Sequence, residues 1–267
     1  GSGATYDAVV WGADAGARKA SGVPIVDKPV TCELGNVSPV IVVPGRWSAR
    51  ALRLRAEDVA TQITHNSGYN CNAARVVVLP RAWPQRDEFL DHLRAVLGAM
   101  PPRAAYYPGA EATYDRYLQS YDRVEAFGRR EAGVLPPALL MDLDPEGDHL
   151  IFREEPWCPL AAVTSLPGDD AADYLSRAVA FCNERLAGTL DATVIVDRAT
   201  TRDLGMAFDA AVAGLRYGAV AINIWSAAAF VFGATTWGAF PGHTPADIGS
   251  GVGAVHNARL VDRPQKT

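Results

Sequence analysis

Apolar and polar positions along the chain change period several times. "SPVIVVP", from Ser38, is a short apolar run bounded by prolines, the pattern of a strand buried on both faces. Over 48–66 the apolar residues Leu52, Leu54, Val59 and Ile63 recur at helical spacing among good helix formers, and Ser67-Gly68 follows as a stop. "ARVVVLP" then reads as a second strand and "RDEFLDHLRAVLGAM" as a second helix, with Phe89, Leu90, Leu93, Val96 and Leu97 on one side. From 100 to about 149 the chain is rich in Pro, Gly and Tyr, and the pattern predicts one helix, near "EATYDRYLQSYDRV", set in loops. Order returns with "PLAAVTSLP" as a strand. A helix follows over "DDAADYLSRAVAFCNERLAG", with Ala172, Leu175, Val179, Cys182 and Leu186 as its apolar stripe and Gly188 beyond its end. "ATVIVD", a helix over about 201–215 and "AVAINIW" continue the alternation. Beyond Trp225 the sequence is dense in Gly and aromatics and poor in charge, the pattern of a loop packed against another surface. Repeated strand–helix units with apolar strands imply an α/β fold: a mainly parallel, twisted sheet flanked by helices.

Composition narrows the function classes. The chain has 267 residues, 49% hydrophobic and 21% charged, enough for a sizeable core. A formal net charge of -5 without clustered Lys and Arg argues against a nucleic-acid surface. Cys32, Cys71, Cys158 and Cys182 form no CxxC pair and no zinc-ligand spacing, so neither a disulfide framework nor a metal site is indicated, and a reducing, cytoplasmic setting is expected. No apolar stretch reaches the roughly 18 to 20 residues a membrane span needs, and no leader is recognisable, so no membrane partner is expected.

Three places could carry chemistry. Cys71, in "THNSGYNCNAARVVVLP", follows polar loop residues at a helix end and precedes a strand, which places it at an edge of the sheet. A lone cysteine there is by default a small buried hydrophobe, so a role as nucleophile depends on its neighbours. Glu33, in "KPVTCELGNVSPVIVV", is a carboxylate among apolar residues just ahead of a buried strand; partly desolvated, it could serve as a base. In "REEPWCPLAAV", Glu154 and Glu155 precede Trp157, so one carboxylate could accept hydrogen bonds from sugar hydroxyls while the ring contacts a flat heterocycle.

Taken in order, "CELGNVSPVIVV", "NSGYNCNAARVVV", "EEPWCPL", "GAVAINIW" and "WGAFPGH" resemble segments of the aldehyde dehydrogenase superfamily, over about 31–243. The resemblance implies the catalytic-domain fold of that family and oxidation of an aldehyde to a carboxylic acid with NAD or NADP. It makes Cys71 the nucleophile, through a thiohemiacetal and a thioester, and Glu33 the activator of the hydrolytic water. It makes Glu155 the residue that holds the nicotinamide ribose and Trp157 the aromatic beside the nicotinamide ring. The backbone N–H of Cys71 would be one oxyanion donor. A small aldehyde would be the substrate, and the full-length enzyme a homo-oligomer.

The sequence departs from the family pattern at Asn36, Tyr69, Trp157 and Cys158, where glycine, glutamine, phenylalanine and glycine are usual, which suggests a divergent branch with an altered pocket. Family members are about twice as long, and no Rossmann-like unit precedes Glu33. The expected division is therefore a remnant of the cofactor lobe over 1–33, a catalytic domain over 34–225 and a Gly- and aromatic-rich segment over 226–267. No role is inferred for His243 or His256. Two other readings stay open: a non-oxidising folded fragment that binds partners, and a cysteine esterase acting through Cys71.

Overall fold

The computed structural model describes residues 1–255; His256, the rest of the expected 226–267 segment beyond 255, and the chain end lie outside the described residues. The chain begins with α1 (Gly3–Val10), α2 (Ala15–Ser21) and β1 (Cys32–Glu33), then enters the alternation with β2 (Ser38–Val42), α3 (Ala49–Thr64), β3 (Ala74–Pro80) and α4 (Arg86–Ala99). It continues through α5 (Ala110–Gln119), β4 (Val124–Ala126), β5 (Ala138–Leu143), α6 (Leu150–Arg153), β6 (Leu160–Leu166) and α7 (Ala171–Arg185). The last elements are β7 (Asp191–Ile195), α8 (Arg198–Leu204), α9 (Met206–Gly214), β8 (Ala219–Ile222), α10 (Ala227–Val231) and β9 (Gly251–Val252).

Seven strands form one sheet in the order β4-β5-β6-β3-β2-β7-β8, parallel except for β4 at one edge. Neighbouring residues of a strand point to opposite faces. Val40 and Val42 therefore pack with Leu52, Val59 and Ile63 of α3 and Phe89, Leu93 and Leu97 of α4. Ile41 and Val43 pack on the other face with Tyr114, Leu175 and Phe208 of α5, α7 and α9. Both faces being covered, the strands read as unbroken apolar runs. The α/β sheet expected from the sequence is the one observed.

Four details differ. β5 is a strand of the main sheet within the stretch read as loops; its run "ALLMDL" is interrupted by Asp142, which adopts φ 52° where the register to β6 shifts and which pairs with Arg86 and Arg123. Leu54 and Ala172 face outward, so the buried stripe of α7 runs through Tyr174, Leu175, Ala178, Phe181 and Cys182. The helix expected over 201–215 is two helices, α8 and α9, broken at Gly205 with φ 51°. Glu33 stands ahead of the buried strand β2, as expected, but is itself part of a strand outside the main sheet. It lies in a separate antiparallel ribbon, β1 with β9, where Glu33 is opposite Gly251. Around that ribbon Tyr6, Val10, Trp11, Leu34 and Ile248 make a small core, and Tyr6 Oη and Trp11 Nε1 both donate to the Pro245 carbonyl. Among the described residues no helix is long and apolar enough to cross a membrane, and no group of three or more His, Cys, Asp or Glu is placed to hold a metal ion.

Candidate active site

The sequence places Cys71 at a sheet edge; the structure specifies the amino edge, in the turn that leads into β3. Open α/β sheets commonly bind ligands at the opposite, carboxyl edge. After α3 the chain turns through three consecutive left-handed residues, Asn66, Ser67 and Gly68, with φ 53°, 54° and 75°. Gly68 is required twice over, because a Cβ there would also lie 2.5 Å from the Cys158 carbonyl oxygen. The turn is tied internally: Asn66 Nδ2 lies 3.2 Å from Asn70 Oδ1, and Tyr106 Oη donates to Asn66 Oδ1 at 3.0 Å.

A residue not singled out in the sequence holds this turn to its neighbour. Arg75, at the start of β3, is fully buried; its Nη2 donates to the Gly68 carbonyl at 2.6 Å and its Nη1 to the Cys158 carbonyl at 2.8 Å. The same Nη2 lies 3.4 Å from Glu155 Oε1. One guanidinium thus fastens the Cys71 turn to the 154–158 turn and faces the carboxylate between them. The signal in the sequence was a charged residue at the head of an otherwise apolar strand, "ARVVVLP".

The four candidate residues Cys71, Glu33, Glu155 and Trp157 line one cavity of about 860 Å³. Glu154, the neighbour of Glu155, also borders the cavity and pairs with Arg116 at 2.9 Å. Cys71 is half-buried. Burial, then the hydrogen bond and charge of Glu33, then the charges of Asp191 and Glu155, push its thiol well above the ordinary cysteine value. The resting side chain is therefore a thiol. Glu33 Oε1 is itself buried without a hydrogen-bond partner.

Glu155 is 13% exposed, and burial outweighs the opposing effect of Arg75, lifting its pKa to about 7. Its two oxygens have only long contacts, Arg75 to Oε1 and the Asn36 N–H to Oε2, each at 3.4 Å. Lone pairs remain for hydroxyl donors, which is the fit expected of a ribose-binding carboxylate. Trp157 adopts φ 45°, stacks edge-on against Tyr107 with centroids 5.6 Å apart, and leaves its Nε1 buried without a partner. His243 also lines the cavity, where its Nε2 is 2.9 Å from Thr189 Oγ1. Asn36, marked in the sequence as a departure from the family pattern, forms a polar cluster behind Cys71 with Ser38 and Asp191, neither of which the sequence singled out.

A larger cavity, about 930 Å³, opens at the carboxyl edge between Trp47, Trp83, Gln85 and Asp170. Most of its polar groups are committed to the fold. Asp170 caps α7, Gln85 bonds both main-chain groups of Trp47, and Trp83 Nε1 donates to the Gly45 carbonyl. Trp47 Nε1 is buried there without a partner, but the groups with raised ionisation, Cys71, Glu155 and Asp191, are at the other edge, which is why that edge is the candidate site.

No family model matches the chain. The probable coniferyl aldehyde dehydrogenase of Caulobacter vibrioides is 30% identical over 168 residues, 55% of this chain and 33% of that protein. Among solved structures, the NADP-dependent glyceraldehyde-3-phosphate dehydrogenase of Bacillus halodurans superposes with a TM-score of 0.67 at 19% identity, covering 90% of this chain and 47% of that one. The gamma-glutamyl-gamma-aminobutyraldehyde dehydrogenase of Burkholderia cenocepacia gives 0.67 at 22% identity, with 90% and 46% covered. The chain spans about a third of the curated relative and about half of the solved structures it matches. The chain is therefore similar to an aldehyde dehydrogenase in sequence over those 168 residues, and to solved aldehyde dehydrogenase structures in fold over about nine-tenths of its length.

Proposed function

We propose that this chain is the catalytic portion of an NAD(P)+-dependent aldehyde dehydrogenase, with Cys71 as nucleophile. The observation that carries the reading is convergence: Glu33 from the β1–β9 ribbon, Cys71 from the turn before β3, and Glu155 and Trp157 from the turn before β6 line one cavity.

In this reading the aldehyde carbonyl carbon meets the Cys71 sulfur. Because the thiol is protonated at rest, its proton must leave as the C–S bond forms, and Glu33 faces it as the acceptor. The carbonyl oxygen gains the charge, next to the Cys71 main-chain N–H as donor. NAD or NADP, when bound, supplies the acceptor for the hydride. Glu155 would hold the hydroxyls of its ribose, and the Trp157 ring would give the nicotinamide an aromatic wall. Glu33 passes the thiol's proton to solvent, and the thioester left on Cys71 is then hydrolysed: Glu33 takes a proton from water, the water oxygen bonds to the acyl carbon, and the C–S bond breaks as the sulfur takes that proton back from Glu33 and the acid departs. A thioester hydrolysed in this way has a carboxylic acid as its product. A soluble cytoplasmic homo-oligomer of the longer protein is the setting that fits this chemistry, with a remnant of the cofactor lobe over 1–33 and the catalytic domain over 34–225.

The test is aldehyde-dependent reduction of NAD+ and NADP+, run beside Cys71→Ala with aliphatic and aromatic aldehydes. Activity lost in the variant supports the reading. Cys71-dependent hydrolysis of an activated ester with no aldehyde oxidation under any condition would favour the esterase reading. Ester hydrolysis that survives Cys71→Ala would sink the nucleophile assignment.

A further inference from the structure

Behind the Cys71 turn lies a carboxylate that the chemistry above does not use. Asp191, the first residue of β7, is wholly buried. Ser38 Oγ is 2.7 Å from its Oδ1 and 3.1 Å from its Oδ2, Ser226 Oγ is 3.3 Å from Oδ2, and Asn36 Nδ2 is 3.5 Å from Oδ1 and 3.0 Å from the Asp191 carbonyl. Among the described residues these hydrogen-bond partners are all neutral. A buried carboxylate held by hydroxyls and an amide, with no cation bonded to it, is costly to keep and calls for a physical reason.

Its partners lead to the proposed site. Ser38 Oγ is also 3.5 Å from the Cys71 carbonyl oxygen. The next carbonyl, that of Asn72, accepts from Trp225 Nε1 at 2.7 Å, and Trp225 adjoins Ser226. Asn36 donates from Nδ2 to Ser38 Oγ at 3.1 Å, and its main-chain N–H faces Glu155. One carboxylate therefore gathers the residues that grip the main chain of Cys71 and Asn72 and the side chain of Glu155.

Ser38 has a single hydroxyl hydrogen and two acceptors. With Asp191 charged, that hydrogen belongs to the shorter contact, the carboxylate. With Asp191 protonated, the acid O–H donates to Ser38 Oγ and frees the serine hydrogen for the Cys71 carbonyl. The titratable groups facing this pair are the Cys71 thiol, the Glu155 carboxyl and the Tyr217 phenol. Burial and the nearby charge of Glu155 raise Asp191 to about 7, against the bonds from Ser38, Ser226 and Asn36, so both forms are accessible near neutrality.

We propose that Asp191 is a positioning residue for the Cys71 nucleophile, acting through the Ser38 hydroxyl on the main chain that carries the thiol. This rests on Cys71 being the nucleophile. The test compares two reactions of the whole chain, hydrolysis of nitrophenyl acetate and alkylation of Cys71 by iodoacetamide, in wild type, Ser38→Ala, Asp191→Asn and Cys71→Ala. Positioning predicts that kcat for the ester falls about tenfold in Ser38→Ala with KM within about twofold, since orientation of the thiol matters for addition to a carbonyl, whereas Asp191→Asn, whose amide can donate to Ser38 Oγ as the protonated acid does, keeps turnover within about twofold and loses its change across neutral pH. Alkylation, less demanding in geometry, does not fall; in Asp191→Asn it rises severalfold, because a negative neighbour of the thiol is gone. Both reactions falling together in either variant would reduce Asp191 to a structural role, and both rising in Asp191→Asn would reduce it to a charge effect; either overturns the proposal. Ester turnover undiminished in Cys71→Ala overturns the nucleophile reading itself, whereas turnover lost there but intact in Ser38→Ala overturns positioning alone. Should Asp191→Asn fail to fold, Ser38→Ala decides the matter.

Discussion

The two edges of the central sheet carry cavities of similar size and opposite character. At the carboxyl edge, the loops after β2, β3, β6 and β7 spend most of their polar groups on helix caps and main-chain bonds: Ser48 for α3, Asp170 for α7, Asp197 for α8 and Gln85 for the Trp47 main chain. At the amino edge, the turns before β3 and β6 and the start of β7 hold a half-buried thiol, two carboxyls raised to about 7 and a fully buried arginine. Volume does not distinguish the two. What does is that groups combining shifted ionisation with spare hydrogen-bonding capacity gather at the amino edge, and such groups are the ones that can act on a ligand.

That contrast can be broken most directly at Cys71. Cys71→Ala should abolish acyl transfer, by roughly 10³-fold or more, while leaving the melting temperature nearly unchanged; retained burst kinetics with an activated ester would remove the amino edge from consideration. Glu33→Gln should slow deacylation by roughly 10²-fold and acylation less, read from pre-steady-state kinetics. A lost burst amplitude with unchanged steady-state turnover would mean Glu33 is not the deacylating base.

Arg75→Met sharpens the comparison through stability. It strands two buried carbonyls and the Glu155 carboxyl, for a loss of about 3 kcal/mol, which urea denaturation would register; a midpoint close to wild type would mean that the two turns hold together without the guanidinium.

The raised ionisation of Asp191 has a definite sign. Its pKa is 3.8 ordinarily and about 7 in the fold, so the folded chain holds a proton that the unfolded chain releases. The resulting stabilisation is complete below the unfolded value and is lost as pH rises through about 7, with an upper bound of roughly 4 kcal/mol. Thermal stability should fall between about pH 5 and pH 8 more steeply in wild type than in Asp191→Asn; parallel profiles would show that Asp191 does not titrate in that window. The smallest effect belongs to the other edge. Gln85→Ala should cost about 1 kcal/mol of stability and leave Cys71-dependent ester hydrolysis unchanged, and a drop in turnover would mean that the two edges are coupled.

Much of this was legible from local pattern. Strands β2, β3, β6 and β7 are apolar runs flanked by helices with clear stripes, and period and length alone place them in a helix-covered parallel sheet. Cys71, Glu33, Glu155 and Trp157 stood out because each is a polar or aromatic residue in a short motif beside such a strand. β5 was hidden because Asp142 and the surrounding prolines interrupt its run. Arg75 and Asp191 were hidden for a different reason: a single charge at the head of a strand looks the same whether it meets water or is sealed beneath a turn.

The sequence by itself thus determined the order of strands and helices and the short list of reactive residues, since these follow from periodicity and side-chain chemistry over a few neighbours. Only the tertiary structure decided which residues share a cavity. Cys32 and Glu33 are joined to Val252 and Gly251 by strand pairing across more than two hundred residues, and Ser38, Asp191 and Ser226 meet because β2, β7 and β8 are adjacent in the sheet. The ionisation of the thiol and the two buried carboxyls follows from that assembly, because desolvation and charge depend on what lies nearby in space.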